Sequence, residues 1–313
     1  MPASQPAPPL LSSAQLGVIF GLIAAFLFSS KAILIKQAYA VSPTVDANIL
    51  MFLRMSSALP FFLCIAWFNR QHSRQIAKMD WFLLLIAGLV GYYIASYLDF
   101  IGLMYISASL ERIILFLYPT LTVIAISLFY RQPLRPIMIL ALLLSYGGTV
   151  IVLQQEQQLL KQNNFWLGAS LVFASAVMFA CYLLLTPRLI QRFGSWNFTG
   201  LALSIACLGT MLHFWLATPQ PLQHLQSLPA EIWCYGLLLG FFVTVLPTLL
   251  LAQSIKRLGA SHSAIIASLG PVLTIILAVL LLGEQMNSIQ YLGCLLNIIG
   301  VMLITLSKNR LAH

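Results

Sequence analysis

The chain has 313 residues, 60% of them hydrophobic and only 7% charged. A water-soluble fold needs far more charge to wet its surface, so lipid is the solvent for most of this chain. The formal net charge of +9 would suggest nucleic acid as a partner of a soluble domain, but the basic residues sit between apolar runs, as topology signals do, and no nucleic acid is expected.

In chain order, residues 1–15 (MPASQPAPPLLSSAQ) carry no charged side chain and several prolines. They lack the basic start and cleavage site of a secretory signal, and a short disordered tail is expected. A helix needs about 20 apolar residues to cross the hydrocarbon core. Spans are predicted at 16–36, 47–69, 81–104, 107–129, 134–153, 165–186, 197–217, 232–255, 261–282 and 287–307. Short alternating strands are absent, which argues against a β-barrel. The expected fold is all-α: ten transmembrane helices.

Orientation is read from the connections. Arg70, Arg74 and Lys78 follow the second span, Arg131 and Arg135 the fourth, and Arg188 and Arg192 the sixth. Lys256 and Arg257 follow the eighth, Lys308 and Arg310 the tenth. The opposite connections hold Asp46, Glu156, Lys161, Glu231 and Glu284. Every even-numbered span is thus followed by a basic segment, which puts both termini in the cytoplasm. The five cysteines, Cys64, Cys181, Cys207, Cys234 and Cys294, all lie in apolar stretches without metal-ligand spacing. They are expected to be small buried hydrophobes, with no metal and no cofactor.

The two halves resemble each other. Ala108, Ser109, Ile113, Leu117, Pro119 and Thr122 match Ala260, Ser261, Ile265, Leu269, Pro271 and Thr274 at a spacing of 152, and Gly148 falls on Gly300. Leu16, Gly17, Ala25 and Phe28 match Leu167, Gly168, Ala176 and Phe179 at 151. The units are 16–153 and 165–307, five spans each. An odd count inverts the second unit, as in secondary transporters that alternate between two related states.

Three stretches carry a family resemblance: LYPTLTVIAISLFYRQPL (117–134), LLLSYGGTVIVL (142–153) and SLGPVLTIILAVLLLGEQMNSIQYLGCLLNIIGVMLI (268–304). They resemble the drug/metabolite transporter superfamily, in particular its bacterial EamA-type members, over nearly the whole chain. The resemblance implies ten helices around a central cavity in a bacterial inner membrane. It also implies export or exchange of a small metabolite such as an amino acid, nucleotide-sugar or drug. The family's Gly-Glu turn is present as Gly283-Glu284 but is Arg131-Gln132 in the first half. Partners are then a small-molecule substrate, a coupling proton or counter-substrate, and lipid, around a monomer or weak dimer. No ATP-binding loop, metalloprotease signature or nucleophile elbow is present, so no enzyme is expected. The rivals from other classes are a channel and a non-transporting assembly protein.

Ionisable side chains inside a membrane are costly and usually functional. They are Lys31, Arg54, Asp99, Glu111 and Arg112; Lys36, at a span end, is expected to snorkel outward. At about 1.5 Å per residue all five lie within roughly the outer 11 Å of the first unit. The second unit has Tyr182, Leu251, Ser263 and Ala264 opposite Lys31, Asp99, Glu111 and Arg112. Three readings stay open for this one-sided set: a gate, contacts to a charged substrate, or a static ion network with Arg54 and Arg112 snorkelling to headgroups. Cavity-facing stripes are expected from Tyr92, Ser96 and Asp99; from Glu111, Tyr118 and Thr122; from Ser263, Gly270 and Thr274; and from Thr244 and Thr248. Small polar residues serve helix packing as well. Pro119 and Pro271 remove one backbone hydrogen bond each at equivalent mid-span positions, which kinks the helix and frees carbonyls. His262 is expected to be a solvated loop histidine.

Overall fold

The computed structural model describes residues 12–70, 76–131, 133–160 and 164–309. Arg74, Gln132, Lys161, Arg310 and the first eleven residues of the expected tail lie outside the described residues. Among those described, all regular structure is helical, and ten helical segments are long and apolar enough to cross a membrane. The predicted spans are all present, several of them longer than expected. The first runs Ser13–Val41, the sixth Phe165–Phe193 and the eighth Ala230–Leu258.

The first span starts three residues early because Ser12 and Gln15 form a capping box. Ser12 N–H donates to Gln15 Oε1 at 2.8 Å, and Gln15 N–H donates to Ser12 Oγ at 3.2 Å. The span is divided into α1 (Ser13–Ser29) and α2 (Lys31–Val41). Next come α3 (Ala47–Phe68), capped by Asp46, then α4 (Lys78–Gly88), a π-helical turn at Leu89–Ile94, and α5 (Ala95–Gly102). The fourth span is split into α6 (Ala108–Leu115) and α7 (Tyr118–Tyr130), and the fifth is α8 (Pro136–Leu160). The second unit supplies α9 (Phe165–Phe193) and α10 (Ser195–Ala217), then a short α11 (Pro221–Gln226). Its eighth span is α12 (Ala230–Leu237), a π-helical turn at Leu238–Val245 and α13 (Leu246–Leu258). The ninth is split into α14 (Ala260–Ala267) and α15 (Gly270–Leu282); α16 (Ser288–Asn309) ends the fold.

The irregularities repeat. The breaks at Phe116–Leu117 and Ser268–Leu269 are 152 residues apart, and both close with one three-residue hydrogen bond: Leu117 N–H to Ile114 O and Leu269 N–H to Ile266 O, each 3.1 Å. Pro119 and Pro271 stand in the first turn after each break, where the missing N–H costs nothing. Proline alone does not break a span here, since Pro60 and Pro187 lie inside α3 and α9. The C-caps repeat too: Arg131 and Gly283 both adopt left-handed backbone, at φ 51° and 67°.

Packing follows a pseudo-two-fold pattern. The third span packs on the sixth and the eighth on the first; the fourth packs on the sixth and the ninth on the first. The second and seventh pair across the axis, as do the fifth and tenth. Gly148, Gly293 and Gly300 bring α8 and α16 into backbone contact. Cys207 and Cys294 are buried as expected, but Cys64, Cys181 and Cys234 are exposed on the apolar outer surface. There lipid contact satisfies the same small apolar side chain.

Candidate functional site

The structure gathers the first-unit charges. Lys31 begins α2 just after the Ser30 break, and its Nζ lies 2.6 Å from Asp99 Oδ2 and 3.0 Å from Glu111 Oε1. Asp99 and Glu111 are buried in α5 and α6. Arg112 donates from Nε to Thr274 Oγ1 at 2.9 Å and from Nη2 to the Phe28 carbonyl at 2.6 Å. Thr274 Oγ1 in turn donates to Ser29 O at 3.2 Å, and Ser29 Oγ to Gly270 O at 3.0 Å. The carbonyls at the breaks of the first and ninth spans are thus tied together.

Arg54 is 7% exposed, with its guanidinium over the Phe100 ring and its Nε donating to Thr244 Oγ1 at 2.8 Å. It points inward, which removes it from the snorkelling reading. Thr244 sits in the π-helical turn of the eighth span and donates to Leu239 O, five residues back, at 2.8 Å. Tyr92, from the π-helical turn of the third span, meets Tyr182 hydroxyl to hydroxyl at 3.3 Å. Phe179 stacks on Tyr182 and stands edge-on to Tyr118, which makes an aromatic layer across the two units. π-helical turns widen a helix locally and are frequent at functional sites.

Other expected residues separate. The Glu111–Tyr118–Thr122 stripe assumed one continuous helix. The break sends Glu111 to the charged set and Tyr118 to a cavity, while Thr122 bonds back to Tyr118 O at 2.7 Å. Ser263 lies on the cavity, 3.0 Å from Ser254 Oγ, and Thr274 joins the charges. Thr248 donates to Thr244 O within its own helix at 2.6 Å. Ser96 is half-buried on α5. His262 is exposed on the first turn of α14, 3.1 Å from Leu258 O.

The halves are closed unequally. On the face bearing Asp46, Glu231 and Glu284, hereafter the acidic-loop face, α2, α6 and α15 pack together. The two-fold counterpart of the α6–α15 contact is α7 against α14 on the basic-loop face. Among the described residues a cavity of about 220 Å³ stands there. Phe116, Tyr118 and Pro119 line one side, Ser263, Ala264, Ala267 and Ser268 another.

The sequence profile of the EamA-like transporter family matches residues 15–154 and 166–306, one copy per five-helix unit. The chain belongs to the EamA-like transporter family. It is similar to the uncharacterized transporter YcbK of Bacillus subtilis (strain 168), 31% identical over 287 residues covering 91% of each chain. It is also similar to the uncharacterized transporter sll1319 of Synechocystis sp., 26% identical over 334 residues covering 96% of each. A solved structure described only as the crystal structure of a protein shares the fold. Its TM-score is 0.61 at 20% identity, covering 95% of this chain and 99% of that one.

Several site members were not expected from sequence. Ser29 is one, and nothing local shows that a remote carbonyl will face it; Thr244, expected on a cavity-facing stripe, accepts from the Arg54 guanidinium. Lys36, expected to snorkel outward, is half-buried on α2. Asn297 donates to Thr149 Oγ1 at 2.8 Å and Ser145 O at 3.2 Å. A third contact, 3.5 Å to Ile113 O, reaches the carbonyl that Leu117 N–H abandons at the break. Its depth in an apolar span was the available signal.

Proposed function

We propose that this EamA-family transporter is a secondary carrier that moves a small polar metabolite, such as an amino acid, by alternating access. Export or exchange is the direction favoured by the family resemblance; a phosphate-bearing metabolite or nucleotide-sugar is the alternative cargo. Both termini lie in the cytoplasm of a bacterial inner membrane: the basic connections share one face, and the relatives are bacterial.

One observation carries this reading. Two units with matching breaks are packed tightly at the acidic-loop ends of the first, fourth and ninth spans and stand apart at the two-fold-related ends. A symmetric fold caught in an asymmetric arrangement has a second arrangement of similar energy, with the units' roles exchanged. Lys31, Asp99, Glu111, Arg112 and Thr274 join α2, α5, α6 and α15, and so act as the gate at the closed end. The test is counterflow in proteoliposomes across amino acids, nucleotide-sugars, phosphates and amines. Saturable, trans-stimulated uptake supports the carrier. Unsaturable flux would instead indicate a channel. Unchanged transport by a well-expressed Glu111→Gln variant argues against a coupling role for Glu111.

A further inference from the structure

Two carboxylates from distant parts of the chain grip the start of α6. Ser107 N–H donates to Glu156 Oε1 at 3.0 Å, and Ser107 Oγ donates to Glu156 Oε2 at 2.9 Å. Ala108 N–H donates to Glu284 Oε1 at 2.7 Å, and Ser109 N–H to Glu284 Oε2 at 3.1 Å. Leu110 N–H donates to Ser107 Oγ at 3.0 Å. Every N–H from residue 107 to 110 is thereby satisfied, three of them by carboxylate oxygens at the positive end of the half-helix. Glu156 belongs to α8, in the same unit as α6. Glu284 comes from the turn after α15, in the other unit. The Glu284 contacts therefore join the two units at the closed face.

The repeat shows that this grip is one-sided. At the spacing of 152 residues, Ser107 corresponds to Gly259, Glu284 to Gln132 and Glu156 to Lys308. At the positions equivalent to the two carboxylates, the sequence therefore carries a neutral amide and an ammonium for the start of α14. A glutamine oxygen accepts a weaker hydrogen bond than a carboxylate, and a lysine charge opposes the positive helix end. Gly259 offers no hydroxyl to cap the next N–H.

We infer that Glu284 is a latch that holds the acidic-loop face shut, with Glu156 preorganising the α6 end it grips, so that the protein rests with its basic-loop cavity open. This rests on the alternating-access reading. Glu284 is a positioning residue: it touches α6 at the far end from the cavity, and opening the acidic-loop face requires it to let go.

The test uses two cysteine reporters in a background in which the exposed Cys64, Cys181 and Cys234 are replaced by serine. Ser109→Cys reports on the closed face. Ser109 is 2% exposed, and its hydroxyl makes no hydrogen bond among the described residues, so a thiol there disturbs little. Ala267→Cys reports on the cavity it lines. A membrane-impermeant maleimide is applied to each side of proteoliposomes. Glu284→Ala is expected to speed labelling of the Ser109→Cys reporter about tenfold, the population shift that loss of a charge-assisted hydrogen bond supports, and to slow labelling of the Ala267→Cys reporter. Glu284→Gln keeps one acceptor oxygen and should move both reporters in the same directions by less; it carries the test if Glu284→Ala does not fold. An unmoved Ser109→Cys reporter overturns the latch. So do two reporters that speed up together, because that pattern is a loosened fold. Counterflow by the parent separates the two ideas. Saturable counterflow with unmoved reporters overturns the latch and leaves the carrier standing; reciprocal reporters without counterflow of any solute do the reverse.

Discussion

Lys31 holds two buried carboxylates at once, and its removal is the most informative single change. Its Nζ is 2.6 Å from Asp99 and 3.0 Å from Glu111, on a side chain 15% exposed against 2% and 0%. At an effective dielectric constant of about 20, each contact is worth roughly 6 kcal/mol of gross attraction. Desolvation of the ions offsets most of that, so the measured effect of deleting one partner is the stranded charge it leaves, about 3–5 kcal/mol. Lys31→Met keeps the chain length and removes the ammonium, leaving Asp99 and Glu111 to repel each other. The expected outcome is a loss of that size in a denaturant-titrated unfolding curve. The triple variant Lys31→Met, Asp99→Asn, Glu111→Gln removes the charges together and should return to within about 1 kcal/mol of the parent, because the desolvation penalty goes with them. A single variant that costs under about 1 kcal/mol, or a triple variant worse than the single, would refute the buried-network account.

Further outcomes follow from the breaks and the close crossings. Arg131 adopts the left-handed backbone that Gly283 takes at its two-fold counterpart, so Arg131→Gly should stabilise by about 0.5–1 kcal/mol in the same titration, and a clear loss would count against strain there. A methyl group on Gly148 would meet the Gly293 carbonyl and Asn297 N. Gly148→Ala should therefore destabilise by about 1–3 kcal/mol and lower the monodisperse yield, whereas an unchanged elution profile and midpoint would show that the α8–α16 crossing has slack. Asn297→Ala strands Ile113 O, whereas Ser145 O keeps the Thr149 hydroxyl as a donor, and should cost about 1–3 kcal/mol with faster backbone amide exchange around the α6–α7 break. Equal exchange in both proteins would remove Asn297 from that role.

Much of the fold was legible in one dimension because lipid imposes a simple rule: each span must be apolar over its whole length, with its backbone paired internally. Composition and the alternation of basic connections therefore placed all ten spans, and Pro119 with Pro271 marked the equivalent breaks. The span ends were less legible. The capping box at Ser12 moved the first helix earlier than its hydropathy indicated. The charged residues were legible as a group, since an ion inside a membrane stands out against leucine and isoleucine. Their partners were not: Lys31 and Glu111 are 80 residues apart, and only the packing of α2, α5 and α6 brings them together.

Glu156 and Glu284 show the same division. As sequence they were acidic residues at span ends, the pattern of a face poor in lysine and arginine, and Glu284 was part of a recurring turn. Their shared target, the backbone of residues 107–109, has no side-chain signature and exists only once α6 begins where it does. The sequence by itself determined the solvent, the number of spans, the inverted repeat and the one-sidedness of the charges, because each depends on residue type and spacing. Tertiary structure decided which charges pair, which carbonyls the breaks leave to be satisfied, and which face is closed. Those depend on contacts a few ångströms long between residues far apart in the chain.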